Sequence, residues 1–376
     1  MNSFRFELLY TSTKSKARVG RIHTPHGIID TPNFVAVGTN GTLKALDNVA
    51  VSDIGLQLMF CNTYHLMLQP GTKVVRDAGG LHTFMNRKLP IITDSGGFQV
   101  FSLAYGSVAD ELKSRGTKKH GNSVMKITEE GALFRSYVDG SKVLLTPESS
   151  VQAQKDLGAD IIIPLDELPP YHIGNDALIK SFDRTHRWME RSLNTHLASV
   201  QGQAMFAVVH GGLNWDLRKK SCEILRSLAF DGFAIGGSLG KHKADILELL
   251  ANTVPHLPDP YPRHLLGIGD LPSLEGSIPF GIDTFDSSYP TKLARHGVAL
   301  SHTGQVNLTK GENKTSSLPI SPECQCYCCK NYSRAYLHHL FKAKEIVAMQ
   351  LATIHNVYYM VQKMQTIRQD ILDGKI

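Results

Sequence analysis

Eight short, continuous apolar runs recur along the chain, and nearly every one ends on a glycine or on a polar side chain able to react with or orient a ligand. They are FVAVG from Phe34, LMFCNT from Leu58, IITDSGG from Ile91, IIIPLDE from Ile161, FAVVHGG from Phe206, GFAIGGS from Gly232, HLLGIGD from His264 and GIDTFD from Gly281. Runs this short, apolar without alternation, suit strands buried on both faces in a parallel sheet covered by helices. Eight of them predict an α/β chain folded as a closed (β/α)8 TIM barrel. That fold carries its active site at the C-terminal strand ends, so Asp94, Asp166, His210, Gly237 and Asp286 are expected to converge on one mouth. Each of these residues taken singly reads equally well as a strand-to-helix cap. Three carboxylates in equivalent places read as a site.

The segments between the runs carry helical signals. The best marked starts at Thr146, where TPE supplies an N-cap, a proline at the first helical position and an early acid, and it stops near Gly158. LNWDLRKKSCEILRSLAF and KADILELLANTV repeat apolar residues at helical intervals after the fifth and sixth runs. Two regions break this rhythm of a single large domain. The stretch from Ala104 to Ser123, including KSRGTKKHGN, is basic and glycine-bearing, and reads as a lid over phosphate or as a solvated loop. The second, from Leu308 to Asn331, is rich in polar residues, proline and cysteine, and precedes a helical C-terminus from Ser333 onward.

With 376 residues, 42% hydrophobic and 20% charged, the chain can bury a large core, which excludes a disordered or disulfide-stapled protein. MNSFRFELLY lacks the pattern of a signal peptide, and no apolar run approaches membrane-spanning length, so a cytoplasmic protein with no membrane partner is expected. A net charge of +6 permits a polyanionic partner such as nucleic acid.

Four of the six cysteines fall within Cys324 to Cys329, and His355 follows on a predicted helix. Three thiolates and one imidazole make a tetrahedral, structural zinc site, with no open position for catalysis. Spacing alone does not choose between Cys328 and Cys329, or between His355 and the pair His338 and His339, which are expected on a helix surface. Cys61 and Cys222 stand in apolar surroundings as reduced core residues.

Two carboxylic acids facing each other across a barrel mouth equip a chain for substitution at a sugar's anomeric carbon. Asp286 and Asp94 are the candidates. Asp166, followed by Glu167, can accept hydrogen bonds from the N–H edge of a guanine-like base. Gly96, Gly97, Gly236 and Gly237 would allow a flat ring close to the backbone, and Phe98 could stack on it.

Taken together, TDSGGFQ from Thr93, DELPPY from Asp166, HGG from His210, GFAIGG from Gly232, FDSSYPTKLAR from Phe285, CQCYCC from Cys324 and IHN from Ile354 resemble the tRNA-guanine transglycosylases, in order and over nearly the whole chain. The resemblance implies an irregular barrel with a zinc-binding subdomain, placed here at residues 308–360, and one structural Zn2+ per subunit. It implies exchange of guanine at the wobble position of a tRNA with a G-U-N anticodon for a 7-deazaguanine, and a homodimer. By position, Asp286 resembles the nucleophile and Asp94 the general acid/base. Asp166, His210, Gly237, Ser238, Gly240, Phe98 and Leu266 would contact the base, and Lys292 and Arg295 the tRNA. The zinc ligands would be Cys324, Cys326, Cys329 and His355, with Cys328 spare. The implied reaction is a retaining double displacement through an aspartyl-ribose, in which burial is expected to raise the pKa of Asp94.

The chain departs from the family pattern at several positions. His210 stands where a glutamine is usual, and an imidazole cannot offer an amide's paired donor and acceptor. SLGKH follows Gly237 where bacterial members typically have LAVGE, and Gly240 in place of valine resembles enzymes that accept full queuine rather than its aminomethyl precursor. Leu168 and Lys292 are further substitutions. The rival readings are a non-catalytic tRNA-binding relative, which has no need of both Asp94 and Asp286, and an unrelated barrel glycosidase, which has no need of the cysteine cluster.

Overall fold

The computed structural model describes residues 4–105, 124–170, 173–240 and 242–376, so the basic stretch at 106–123 lies outside the described residues. All eight apolar runs form strands of one closed barrel: β4 (Asn33–Val37), β5 (Met59–Cys61), β6 (Ile91–Thr93), β10 (Ile161–Ile162), β11 (Ala204–Val209), β12 (Gly232–Ile235), β13 (Arg263–Leu265) and β14 (Thr284–Ser287). Neighbouring barrel strands are parallel, and β14 closes on β4 with Asp286 opposite Val35. Every residue of β11 and β12 is buried, as expected of strands covered on both faces.

The helix Pro147–Leu157 confirms its sequence signals. Thr146 accepts from the Ser149 N–H and closes a capping box, and Gly158 ends the helix in the left-handed region at φ 71°. The helices Trp215–Leu225 and Lys243–Thr253 follow β11 and β12 as their periodicity predicts.

Two additions to the barrel carry no clear signal in the sequence. An antiparallel sheet of β1 (Arg5–Thr11), β2 (Arg18–Thr24) and β3 (Gly27–Thr31) sits at the N-terminal strand ends. The buried Arg18 guanidinium pairs with Asp283, which in turn accepts from the Arg263 N–H at 2.7 Å just as β13 begins. A second sheet, β7 (Val124–Ile127), β8 (Ala132–Arg135) and β9 (Lys142–Leu145), is inserted between β6 and β10. After the barrel come a hairpin, β15 (Val298–Ser301) and β16 (Gly304–Asn307), and the helices Arg334–Ala343 and Ile346–Leu372. The helical C-terminus expected from Ser333 onward is thus two helices, separated at Lys344, whose φ is 60°.

The helix Ile346–Leu372 binds the barrel next to the mouth. Asn356 donates to the carbonyls of Pro290 (3.0 Å) and Val298 (2.9 Å) and accepts from the Leu300 N–H (2.8 Å). Pro290 lies in the helix Tyr289–Arg295 that leaves the end of β14, so the C-terminal helix braces the turn after Asp286. Among the described residues, no helix is long and apolar enough to cross a membrane.

Candidate active site at the barrel mouth

A cavity of about 480 Å³ opens at the C-terminal strand ends and is lined by Asp94, Asp166, Gly237, Leu266 and Asp286, with Phe98 exposed on its wall. That volume falls in the range of small-molecule sites. The strand ends of β6, β10 and β14 thus bring the three carboxylates to one space, although Asp94 and Asp286 are 192 positions apart in the chain.

Each carboxylate is held differently. Asp94 is buried, and its two oxygens accept from Asn62 Nδ2 and the Thr63 N–H, both at 2.7 Å. Burial pushes its carboxyl up to about 6, against the downward pull of Asn62, Thr63, Gln99 and the Gly96 N–H. A group poised near neutrality can both give and take a proton. Asp286 is also buried, and its Oδ1 accepts from the Gly267 N–H (2.8 Å) and faces His264 Nε2 (3.2 Å). Asp166 is half-open, with Ser95 Oγ 3.3 Å from one oxygen and His210 Nε2 2.7 Å from the other.

Gly97 shows why the segment after β6 must be a glycine turn: a Cβ there would lie 2.8 Å from the Asp166 carbonyl oxygen. Glu167 turns away from the mouth, and its carboxylate accepts from Arg184 Nη1 at 2.7 Å. It is therefore no partner for a base, in contrast to the sequence reading that coupled it with Asp166.

Several expected residues lie beside the cavity rather than on it. His210 is buried behind Asp166 and reaches the space only through that carboxylate. The Ser238 carbonyl is held by Arg218 Nη2 at 3.1 Å, and the residue borders a neighbouring, smaller cavity. Gly240 has φ 92°, and a Cβ there would lie 2.3 Å from that of Asp245. Its lack of a side chain is thus a demand of the turn and of Asp245, not room made for a ligand. Lys292 is exposed on the helix Tyr289–Arg295, and Arg295 donates to the Thr291 carbonyl; neither lines the cavity.

Sequence reasoning missed the supporting residues. Asn62 and Thr63 close the run LMFCNT after β5 and His264 opens HLLGIGD in β13, runs that mark strands without giving these side chains a role. Arg218, fully buried, binds the carbonyls of Val209 (3.0 Å), Gly212 (2.8 Å) and Gly236 (2.9 Å), fixing the turns after β11 and β12. Arg218 thus occupies one acceptor position of the Gly236 carbonyl.

The second constellation is the cysteine cluster. The sulfurs of Cys324, Cys326 and Cys329 lie 3.6, 3.6 and 3.2 Å from His355 Nδ1. Tetrahedral zinc with ordinary bond lengths puts sulfur and nitrogen about 3.5 Å apart. His355 Nε2 donates to the Leu300 carbonyl at 2.7 Å, which leaves the Nδ1 lone pair aimed at the sulfurs. The group can hold a metal ion. Cys328 is buried outside it, and burial pushes its thiol up, so it is an inert core residue. Of the alternative histidines, His339 is exposed as expected, but His338 is buried and bonded to the Leu308 carbonyl.

Residues 12–376 match the family model described as queuine tRNA-ribosyltransferase. The chain belongs to the queuine tRNA-ribosyltransferase family. A family member bearing that name from Protochlamydia amoebophila (strain UWE25) is 69% identical over 376 residues, spanning 100% of this chain and 97% of that protein. Members of the same name from Chlamydia felis (strain Fe/C-56) and Chlamydia abortus (strain DSM 27085 / S26/3) are 52% and 53% identical, with 100% of each protein covered.

Proposed function

We propose that the protein is a tRNA-guanine transglycosylase of queuosine modification, a pentosyltransferase that replaces guanine at the wobble position of tRNAs with G-U-N anticodons by a 7-deazaguanine. The observation that carries this reading is the convergence of Asp94, Asp166 and Asp286 on one cavity of about 480 Å³, roomy enough for a purine base.

Asp286 attacks the ribose anomeric carbon as the bond to guanine breaks, forming an aspartyl ester. Asp94 gives the departing guanine a proton, then takes one from the incoming base, which displaces the ester and restores both carboxyls to their starting states. Asp166 accepts from the N–H edge of either base, with Phe98 and Leu266 beside the ring and the Gly237 backbone along it. The target nucleotide leaves a loop in which it is already partly unstacked, so extrusion costs little. Lys292 and Arg295 meet the anticodon-loop backbone outside the cavity.

Within the 308–360 subdomain, a structural Zn2+ on Cys324, Cys326, Cys329 and His355 would tie the cysteine-bearing loop to the helix Ile346–Leu372. The active form is a cytoplasmic homodimer. Since Gly240 does not line the cavity, the choice between queuine and its aminomethyl precursor rests on the other cavity walls, including Leu168.

The test is to mix protein, tRNA and incoming base, quench in denaturant and look for a covalent RNA–protein adduct. Wild-type protein should form it and Asp286→Asn should not. Supplying labelled queuine and labelled precursor in turn reads the base preference, and normal turnover by Asp286→Asn would refute the mechanism.

A further inference from the structure

His264 belongs to none of the groups that bond to the substrate in the reaction just described, yet it is fully buried and spans the two strands that build the nucleophile's site. On β13 it pairs with Thr284 of β14, so its ring meets side chains at positions 284 and 286, which share one face of that strand. Its Nδ1 lies 2.8 Å from Thr284 Oγ1 and its Nε2 3.2 Å from Asp286 Oδ1. The Phe60 ring lies nearly parallel to it, with 6.2 Å between centroids and 17° between planes.

These contacts fix the proton on Nε2. A carboxylate oxygen only accepts, so the imidazole must donate to Asp286 through Nε2–H, and in the neutral ring Nδ1 accepts from the Thr284 hydroxyl. An imidazole so placed has no lone pair facing the cavity and cannot act as a base there.

We propose that His264, resting on the assignment of Asp286 as nucleophile, is the positioning residue for that carboxylate. Together with the Gly267 N–H, 2.8 Å away, its Nε2–H holds Asp286 Oδ1, which leaves Oδ2 as the attacking oxygen. When Oδ2 bonds to the anomeric carbon as the guanine bond breaks, Oδ1 becomes the ester carbonyl. When the incoming base displaces the ester, the electron pair returns to Asp286, and the same two donors receive the charge. One fixed pair of hydrogen bonds therefore serves both half-reactions, with no proton moved at His264.

Replacement by alanine removes one donor to a charged group, worth about tenfold to hundredfold in rate. His264→Ala should slow both adduct formation and adduct resolution by that factor, with KM for tRNA unchanged. His264→Gln, whose side-chain N–H reaches about as far as imidazole Nε2–H, should recover most of the loss, and Thr284→Val, which frees the ring to turn, should fall between. Rapid-quench measurement of the two steps, with thermal unfolding of each variant, decides the matter. Equal rates in wild type and His264→Ala would overturn the proposal, as would a Gln variant as slow as the Ala variant at equal thermal stability. Absence of any adduct in the wild type would instead overturn the assignment of Asp286, and this role with it.

Discussion

The barrel mouth gathers three carboxylates from distant strand ends, and the cysteine cluster gathers Cys324, Cys326, Cys329 and His355 from one C-terminal stretch, but they point them differently. In the cluster the three sulfurs and His355 Nδ1 face one another, and the remaining ring nitrogen is tied to a backbone carbonyl. Nothing is left over for a substrate. At the mouth Asp166 and Asp286 are each held by a few donors yet still border an open cavity, and Asp94 sits at its edge with a displaced proton affinity. A closed set of donors builds structure, and an open set does chemistry. The two meet at the helix Ile346–Leu372, where His355 serves the cluster and Asn356, one residue on, braces the segment after Asp286.

If the contrast is right, changes at the mouth abolish chemistry in a folded protein, whereas changes in the cluster cost folding first. Asp286→Asn should lower turnover by on the order of 10⁴-fold or more and eliminate the adduct, with an unaltered unfolding transition. Asp94→Asn should cost about 10²–10⁴-fold in turnover while tRNA binding, measured by filter retention, persists.

The pH dependence follows from the elevated Asp94. Because burial raises its pKa to about 6, the carboxylate that must take a proton from the incoming base disappears as pH falls through that value. Adduct resolution should then drop about tenfold per pH unit below it, while adduct formation, which needs the acid form, should decline as pH rises above it. Rapid-quench rates from pH 5 to 8 check both limbs.

In the cluster, Cys326→Ser should lower the unfolding temperature by about 5 °C or more and abolish bound metal, read by elemental analysis. Cys328→Ala should leave one metal ion per chain. Smallest is Gly240→Ala, expected to destabilise by about 1–3 kcal/mol through its positive φ, without altering which base is incorporated. A changed base preference in that variant would return Gly240 to the site.

Much of this was legible because the two signals are local in kind. Continuous apolar runs of strand length, each ending on a polar or glycine residue, mark barrel strands whatever their partners, and all eight were found. Cysteines two and three residues apart mark a metal cluster. The strands β7–β9 escaped notice because VMKI, ALFR and KVLL are four residues each and mix charged with apolar side chains. His210 and Gly240 are expected near the base only through the family resemblance. The folded chain puts His210 behind Asp166 and gives Gly240 to a turn.

By itself, the sequence determined the barrel, the strand that carries each carboxylate, and the presence of a metal-binding cluster, since these depend on hydrophobic burial and on ligand chemistry that neighbouring residues express together. Only the tertiary structure decided that Glu167 faces Arg184 and that His264 and Asn62 hold Asp286 and Asp94. Hydrogen-bond partners of that sort come from other strands, and their distance and direction are set by how the barrel closes.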